Sequence, residues 1–236
     1  MKQYFKTSVL NLDGYASPPQ KAFKVKLNQN ESPFDIPDEL KTRCMQRIEQ
    51  LAWNRYPINN SQLLRDKLAA RHGIKPDQIL LGYGSNQLFQ TLLTAVLSPG
   101  DGILLTPPTF SLYQLFAKIY DASIIDVLHP PDESYPLDTV LEKIQLETPR
   151  LVIVCSPNNP TGAELALPDV EKICQNTPGL VLFDEAYGEF SDRDAVSRVR
   201  HHENLVISRT FSKAFSMAGL RFGYLIAQRS VIQQLG

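Results

Sequence analysis

Residues 151–187, LVIVCSPNNPTGAELALPDVEKICQNTPGLVLFDEAY, carry the unit from which the fold follows. The two apolar runs, LVIVC (151–155) and LVLF (180–183), are continuous rather than alternating, which is the pattern of strands covered on both faces. Between them, residues 168–175 read as an amphipathic helix opened by Pro168 and Asp169. Strand, helix, strand in that order predicts a parallel sheet with a crossover helix.

The same alternation extends in both directions. Short apolar runs at 79–81, 103–105, 124–127, 205–207 and 222–226 are expected as further strands. Helices are expected at 85–97, where Leu88, Leu92 and Val96 recur at helical spacing, and at 111–120 and 138–146. Ahead of residue 76 the pattern changes. An irregular arm (1–36) leads to a helix near 38–51 with Leu40, Cys44, Ile48 and Leu51 on one face. A second helix near 61–72 is opened by Ser61 and stopped by Gly73. There is no internal repeat and no low-complexity tract.

Composition narrows the function. The chain has 236 residues, 43% hydrophobic and 21% charged, with a net charge of −1, which gives no reason to expect nucleic acid or an anionic membrane as partner. No run is long enough to span a bilayer, and MKQYFKTSVLNLDGY lacks the apolar core of a signal peptide. Cys44, Cys155 and Cys174 are odd in number and widely spaced, so a reducing cytoplasm is expected and neither disulfides nor a cysteine metal site is. His72, His129, His201 and His202 show no ligand spacing and read as surface or cap residues.

In a parallel sheet, chemistry collects at the carboxyl ends of the strands. GlyTyrGlySerAsn (82–86) follows the first strand and leads into a helix, where glycines and free N–H groups suit an anion. It is neither a Walker loop nor a dinucleotide fingerprint. Phe110 and Tyr113 follow the second strand, where an aromatic side chain can cover a flat ligand. SerProAsnAsnProThrGly (156–162) makes a rigid turn that holds Asn159 at a pocket edge. Asp184 is the first charge after four apolar residues, so it is expected to be buried and to need a partner, with Tyr187 three residues on. After the run at 205–207, Lys213 stands among Thr210, Ser212 and Ser216, with Arg221 further along. A lysine on a pocket floor loses solvation, and its amine becomes a usable nucleophile. Each feature alone has a plainer explanation: a turn, a core aromatic, a turn-capping Asp, a solvated Lys, an ordinary strand-start Arg. Together they offer a phosphate cup, a ring cover, a polar donor, a carboxylate and an amine, the set that pyridoxal 5′-phosphate requires.

The motifs Asn30-Glu31-Ser32-Pro33, Arg55-Tyr56-Pro57, Gly82-Tyr83-Gly84-Ser85-Asn86, Pro108-Thr109-Phe110, Asn159-Pro160-Thr161-Gly162, Asp184-Glu185-Ala186-Tyr187 and Thr210-Phe211-Ser212-Lys213 resemble, in order and spacing, those of the fold-type I pyridoxal-phosphate aminotransferases. Within that family the chain is most similar to the histidinol-phosphate aminotransferases. The resemblance implies an α/β fold of three layers, α/β/α, around a seven-stranded mostly parallel sheet whose last strand is antiparallel. It implies Lys213 as covalent anchor and proton carrier, and Asp184 as partner of the cofactor's ring nitrogen. Asn159 and Tyr187 would donate to the 3′-oxygen, and Phe110 would stack on the ring. Ser85, Asn86, Thr210, Ser212 and Arg221 would hold the phosphate. It further implies a homodimer in which Tyr56 reaches the neighbouring subunit's cofactor, and an arm over the substrate that carries Tyr15 and Asn30.

The reaction so implied exchanges an amino group between L-histidinol phosphate and 2-oxoglutarate, in histidine biosynthesis. Decarboxylation of a phosphorylated amino acid, transamination of an aromatic one, and a non-catalytic effector part of a transcription regulator are the other readings. Two departures loosen the substrate assignment: Asn86-Gln87 where the family often has Asp-Glu, and Phe110 where it commonly has Tyr. Residues 37–236 are expected to be the cofactor-binding large domain. Residues 228–236 read as the start of a further helix, beyond which the family carries a small domain with a substrate-binding arginine. A chain without that domain is expected to be a fragment that turns over little.

Overall fold

One seven-stranded sheet organises the chain, in the order β1-β7-β6-β5-β4-β2-β3. The computed structural model describes residues 4–10, 12, 24–56 and 61–236. Numbered along the chain, the strands are β1 (Ile79–Gly82), β2 (Gly102–Leu105), β3 (Ser123–Asp126), β4 (Leu151–Cys155), β5 (Leu180–Asp184), β6 (Leu205–Thr210) and β7 (Gly223–Ile226). The helices are α1 (Thr7–Leu10), α2 (Asp38–Glu49), α3 (Gln62–His72), α4 (Ser85–Val96), α5 (Leu112–Ile119), α6 (Leu137–Glu147), α7 (Leu167–Asn176) and α8 (Arg229–Leu235). Strands β2 to β6 run parallel, while β7 pairs antiparallel with both β6 and β1.

The continuous apolar runs are explained by two separate cores. Along β4, Leu151, Ile153 and Cys155 pack under α4, α5 and α8, while Val152 and Val154 pack under α3, α6 and α7. Alternate residues therefore serve opposite layers, and no polar face remains. Burying each Leu or Ile there stabilises the fold by about 1.5–3 kcal/mol relative to leaving it exposed.

The differences from expectation are local. Strand β6 continues to Thr210 because its pairing with β7 persists through Thr210↔Gly223. The arm is not wholly irregular, since Thr7–Leu10 form one helical turn. Gly73 ends α3 in the left-handed region at φ 65°, whereas the Ser61 side chain makes no capping bond at its start. Leu51 lies beyond the end of α2, and that helix buries none of its residues. His72 is not a surface residue. Its ring packs on Tyr224 with Nε2 2.9 Å from the phenolic oxygen, and burial with the Arg209 charge lowers its pKa to about 4.

Candidate active site

The parallel strands point their carboxyl ends toward one cavity of about 520 Å³. Ser85 and Asn86 come from the start of α4 just after β1, Phe110 from the β2–α5 connection, Tyr113 from the first turn of α5, and Cys155 and Asn159 from the end of β4 and the turn after it. Asp184 and Tyr187 come from the end of β5, Thr210, Ser212 and Lys213 from β6 and beyond, and Arg221 from the approach to β7. Segment 28–31 of the arm closes one side.

At one end stands an anion-binding cup. Gly84 has φ 81°, and a Cβ there would lie 2.4 Å from Arg221 Nη2, so glycine alone lets the guanidinium rest against the start of α4. No side chain caps that helix, which leaves its first N–H groups to a ligand. The Thr210 hydroxyl donates to Ser212 Oγ at 3.0 Å, and Arg221 Nη1 lies 3.5 Å from the same oxygen.

Lys213 is half-buried. Its Nζ donates to the Gln29 carbonyl at 2.6 Å and sits 5.6 Å from the centre of the Tyr187 ring. Burial lowers its pKa, with Glu31 opposing and the Arg221 charge reinforcing the shift. Asn30 Nδ2 reaches Tyr187 Oη at 3.0 Å and Asn159 Oδ1 at 3.5 Å, and Ser216 donates to Ser32 Oγ at 2.9 Å. Polar contacts therefore tie the arm to Lys213 and Ser216 on the lysine loop and to Asn159 and Tyr187 beside it.

Asp184 is 3% exposed, and its two oxygens have different partners. Oδ2 accepts from the Tyr113 hydroxyl at 2.5 Å, and Oδ1 accepts from the Ala186 N–H at 3.1 Å. The turn-capping role weighed from sequence thus coexists with a pocket-facing one. Burial raises the carboxyl pKa to about 6, with the Tyr113 hydrogen bond opposing.

Behind the cavity, on the other side of the sheet, lies a buried ionic cluster. Arg209 binds Glu185 Oε2 through Nε at 2.8 Å and Nη2 at 2.6 Å, and reaches Asp194 at 3.1 Å and Glu189 at 3.3 Å. The second Glu185 oxygen accepts from the Ala195 N–H at 3.0 Å. Glu185 and Arg209 each adjoin a cavity residue, Asp184 and Thr210, so the cluster ties the two chemically important strand ends together.

Of the residues named from sequence, Ser85, Asn86, Phe110, Asn159, Asp184, Tyr187, Thr210, Ser212, Lys213, Arg221 and Asn30 line the one cavity. Tyr56 does not, being fully exposed, and Tyr15 lies outside the described residues. Three contributors have roles that the sequence did not assign, Tyr113 having been read only as a candidate ring cover. Tyr113 is the partner of Asp184. Asn158 pins the two turns together by donating to Pro108 O at 2.9 Å and accepting from Thr109 at 2.8 Å. The Glu185–Arg209 pair had a visible signal, an arginine flanked by strand residues in LVISRT.

A half-buried lysine and a buried carboxylate facing one cavity, at the strand ends of a three-layer α/β fold, define a cofactor-type site rather than a simple binding cleft. The family model for aminotransferase class I and II matches residues 22–236, and the chain belongs to that family. It is 35% identical over 213 residues to histidinol-phosphate aminotransferase of Thermoanaerobacter sp., covering 90% of this chain and 61% of that protein. It is 36% identical over 233 residues to the Prosthecochloris aestuarii enzyme of the same name, covering 97% and 64%. Among solved structures, histidinol-phosphate aminotransferase from Sinorhizobium meliloti in complex with pyridoxal-5′-phosphate superposes with TM-score 0.88 at 23% identity, covering 98% of this chain and 67% of that one. L-threonine-O-3-phosphate decarboxylase from Porphyromonas gingivalis superposes with TM-score 0.73 at 20% identity, covering 88% and 61%. At these identities the structural likeness speaks to fold alone. The chain spans 61% and 64% of the length of the two curated relatives named.

Proposed function

We propose that residues 37–236 form the cofactor-binding large domain, and residues 1–36 the arm, of a pyridoxal-phosphate-dependent aminotransferase acting between L-histidinol phosphate and 2-oxoglutarate. The observation that carries the reading is the pairing of Lys213 and Asp184 across one cavity with an anion cup at its end. The residues present fit the cofactor. The space that a Cβ at Gly84 would fill belongs to Arg221, which with Ser85, Asn86, Thr210 and Ser212 suits a dianionic phosphate. Asp184 suits a protonated ring nitrogen, Phe110 a flat face, and Asn159 with Tyr187 a ring oxygen.

Pyridoxal phosphate, when bound, supplies an electron sink for the substrate carbon that loses its proton. The protein's residues do the rest. The Lys213 amine, made less basic by burial, would anchor the cofactor and, once freed, take the proton from the substrate Cα. Asp184 would hold a protonated ring nitrogen in place. Asn30, reaching Tyr187 from the arm, helps exclude water.

The uncovered apolar face of α2, with Met45 52% exposed and Tyr56 just beyond, supports a homodimer in which Tyr56 serves the neighbouring subunit's site. Three free cysteines, and no helix among the described residues long and apolar enough to cross a membrane, accord with a cytoplasmic protein.

Two measurements test the reading. Pyridoxal phosphate added to the chain, with unbound cofactor then removed, is expected to leave borohydride-reducible visible absorbance on the protein that Lys213→Ala abolishes. In a protein that also carries the small domain, histidinol phosphate and 2-oxoglutarate are expected to yield glutamate. Turnover with an aromatic amino acid instead, and no glutamate from histidinol phosphate, overturns the substrate.

A further inference from the structure

Tyr113 is 1% exposed, and its ring is held edge-on by Phe110 (5.4 Å, 85°) and Phe89 (5.6 Å, 61°). A phenol so confined cannot swing away, and its hydroxyl is delivered from α5 to Asp184 Oδ2 at 2.5 Å. With Oδ1 tied to the Ala186 N–H at 3.1 Å, the carboxylate plane is fixed from both sides. We infer that Tyr113 is a positioning residue that sets the orientation and the charge of the Asp184 carboxylate. The inference deepens the proposed function, on which it rests only for naming what Asp184 faces.

The neighbouring charged and titratable groups do not replace this hydroxyl. Cys155 on β4 is buried, with its thiol pushed up to about 12, and stays neutral. Lys213 acts on Asp184 through its charge, and neither Lys213 nor Tyr187 hydrogen-bonds to it. A hydrogen bond donated to a carboxylate favours its charged form. Tyr113 leads the groups that counter the burial raising Asp184, ahead of Ser208, the Ala186 N–H and the Lys213 charge, and the net result is a midpoint of about 6. At neutral pH the carboxylate is then mostly ionised, able to hold a protonated ring nitrogen. A merely structural tyrosine would satisfy its own buried hydroxyl and leave that midpoint alone.

The test reads the carboxyl directly, without cofactor or turnover. The full chain carrying 13Cγ-labelled aspartate is titrated by NMR, and Asp184→Asn identifies the resonance. Tyr113→Phe, which removes one oxygen and keeps the ring, is expected to raise the Asp184 midpoint by roughly one pH unit. Placing 3-fluorotyrosine at position 113 strengthens the donor and is expected to lower the midpoint. This second variant carries the test should the first fail to fold. An Asp184 midpoint that ignores both changes overturns the inference. Pyridoxal phosphate added to the unmodified chain is the separate control. If no visible absorbance develops while the midpoint moves as expected, the cofactor reading fails and the Tyr113–Asp184 link stands.

Discussion

The two sides of the cavity are built on opposite terms. The strand-end side, with Asp184, Thr210 and Ser212, stands on a sheet whose residues are buried by both helical layers, and it is braced from behind by Arg209 and Glu185. The arm side, residues 24–36, is mostly exposed, continues into a helix with no buried residue, and reaches the lysine loop through a few polar contacts. The first side owes its geometry to burial within this chain. The second leaves Leu40, Met45, Ile48 and Trp53 uncovered, so its stability depends on what else meets it.

By this contrast, the largest loss comes from unpairing the brace. Arg209→Met strands the Glu185 charge, which is 2% exposed, and is expected to cost about 3–5 kcal/mol in chemical denaturation. Adding Glu185→Leu is expected to recover part of that loss, because the most deeply buried of the stranded charges is removed.

A smaller, pH-dependent effect belongs to His72 beside the same brace. Its pKa is about 4 in the folded chain against an ordinary 6.5, so as pH falls from 6.5 to 4 the unfolded chain gains a proton that the folded chain refuses. Stability is lost on that acidification. His72→Gln removes this component, and the native chain is expected to fall relative to the variant by on the order of 1 kcal/mol, allowing for the ring's partial exposure. Urea denaturation at several pH values reads the difference.

The smallest effect on unfolding is expected on the other side. Ile48→Asp, on the open face of α2, should leave the monomer's stability within about 0.5 kcal/mol while abolishing self-association in sedimentation. A large loss of monomer stability would mean that α2 is held within the chain after all.

The same contrast sets what the sequence disclosed. The strands were legible because burial on both faces writes itself as continuous apolar runs, and the cavity residues because they follow those runs. Pairings formed only by the tertiary fold left weaker traces. Tyr113 and Asp184 are 71 positions apart, and Glu185 and Arg209 are 24 apart. Nothing in either residue alone names its partner. The Gln29 carbonyl that meets Lys213 is a backbone atom and has no residue signature. His72 read as a cap because its packing comes from Tyr224, 152 positions away.

The most direct test of the central claim is chemical. The chain is incubated with pyridoxal phosphate, reduced with borohydride, digested and analysed by mass spectrometry. The account predicts a pyridoxyl-phosphate mass on the peptide that contains Lys213, and none in Lys213→Ala. The same mass on another lysine, or label undiminished in the variant, would contradict it.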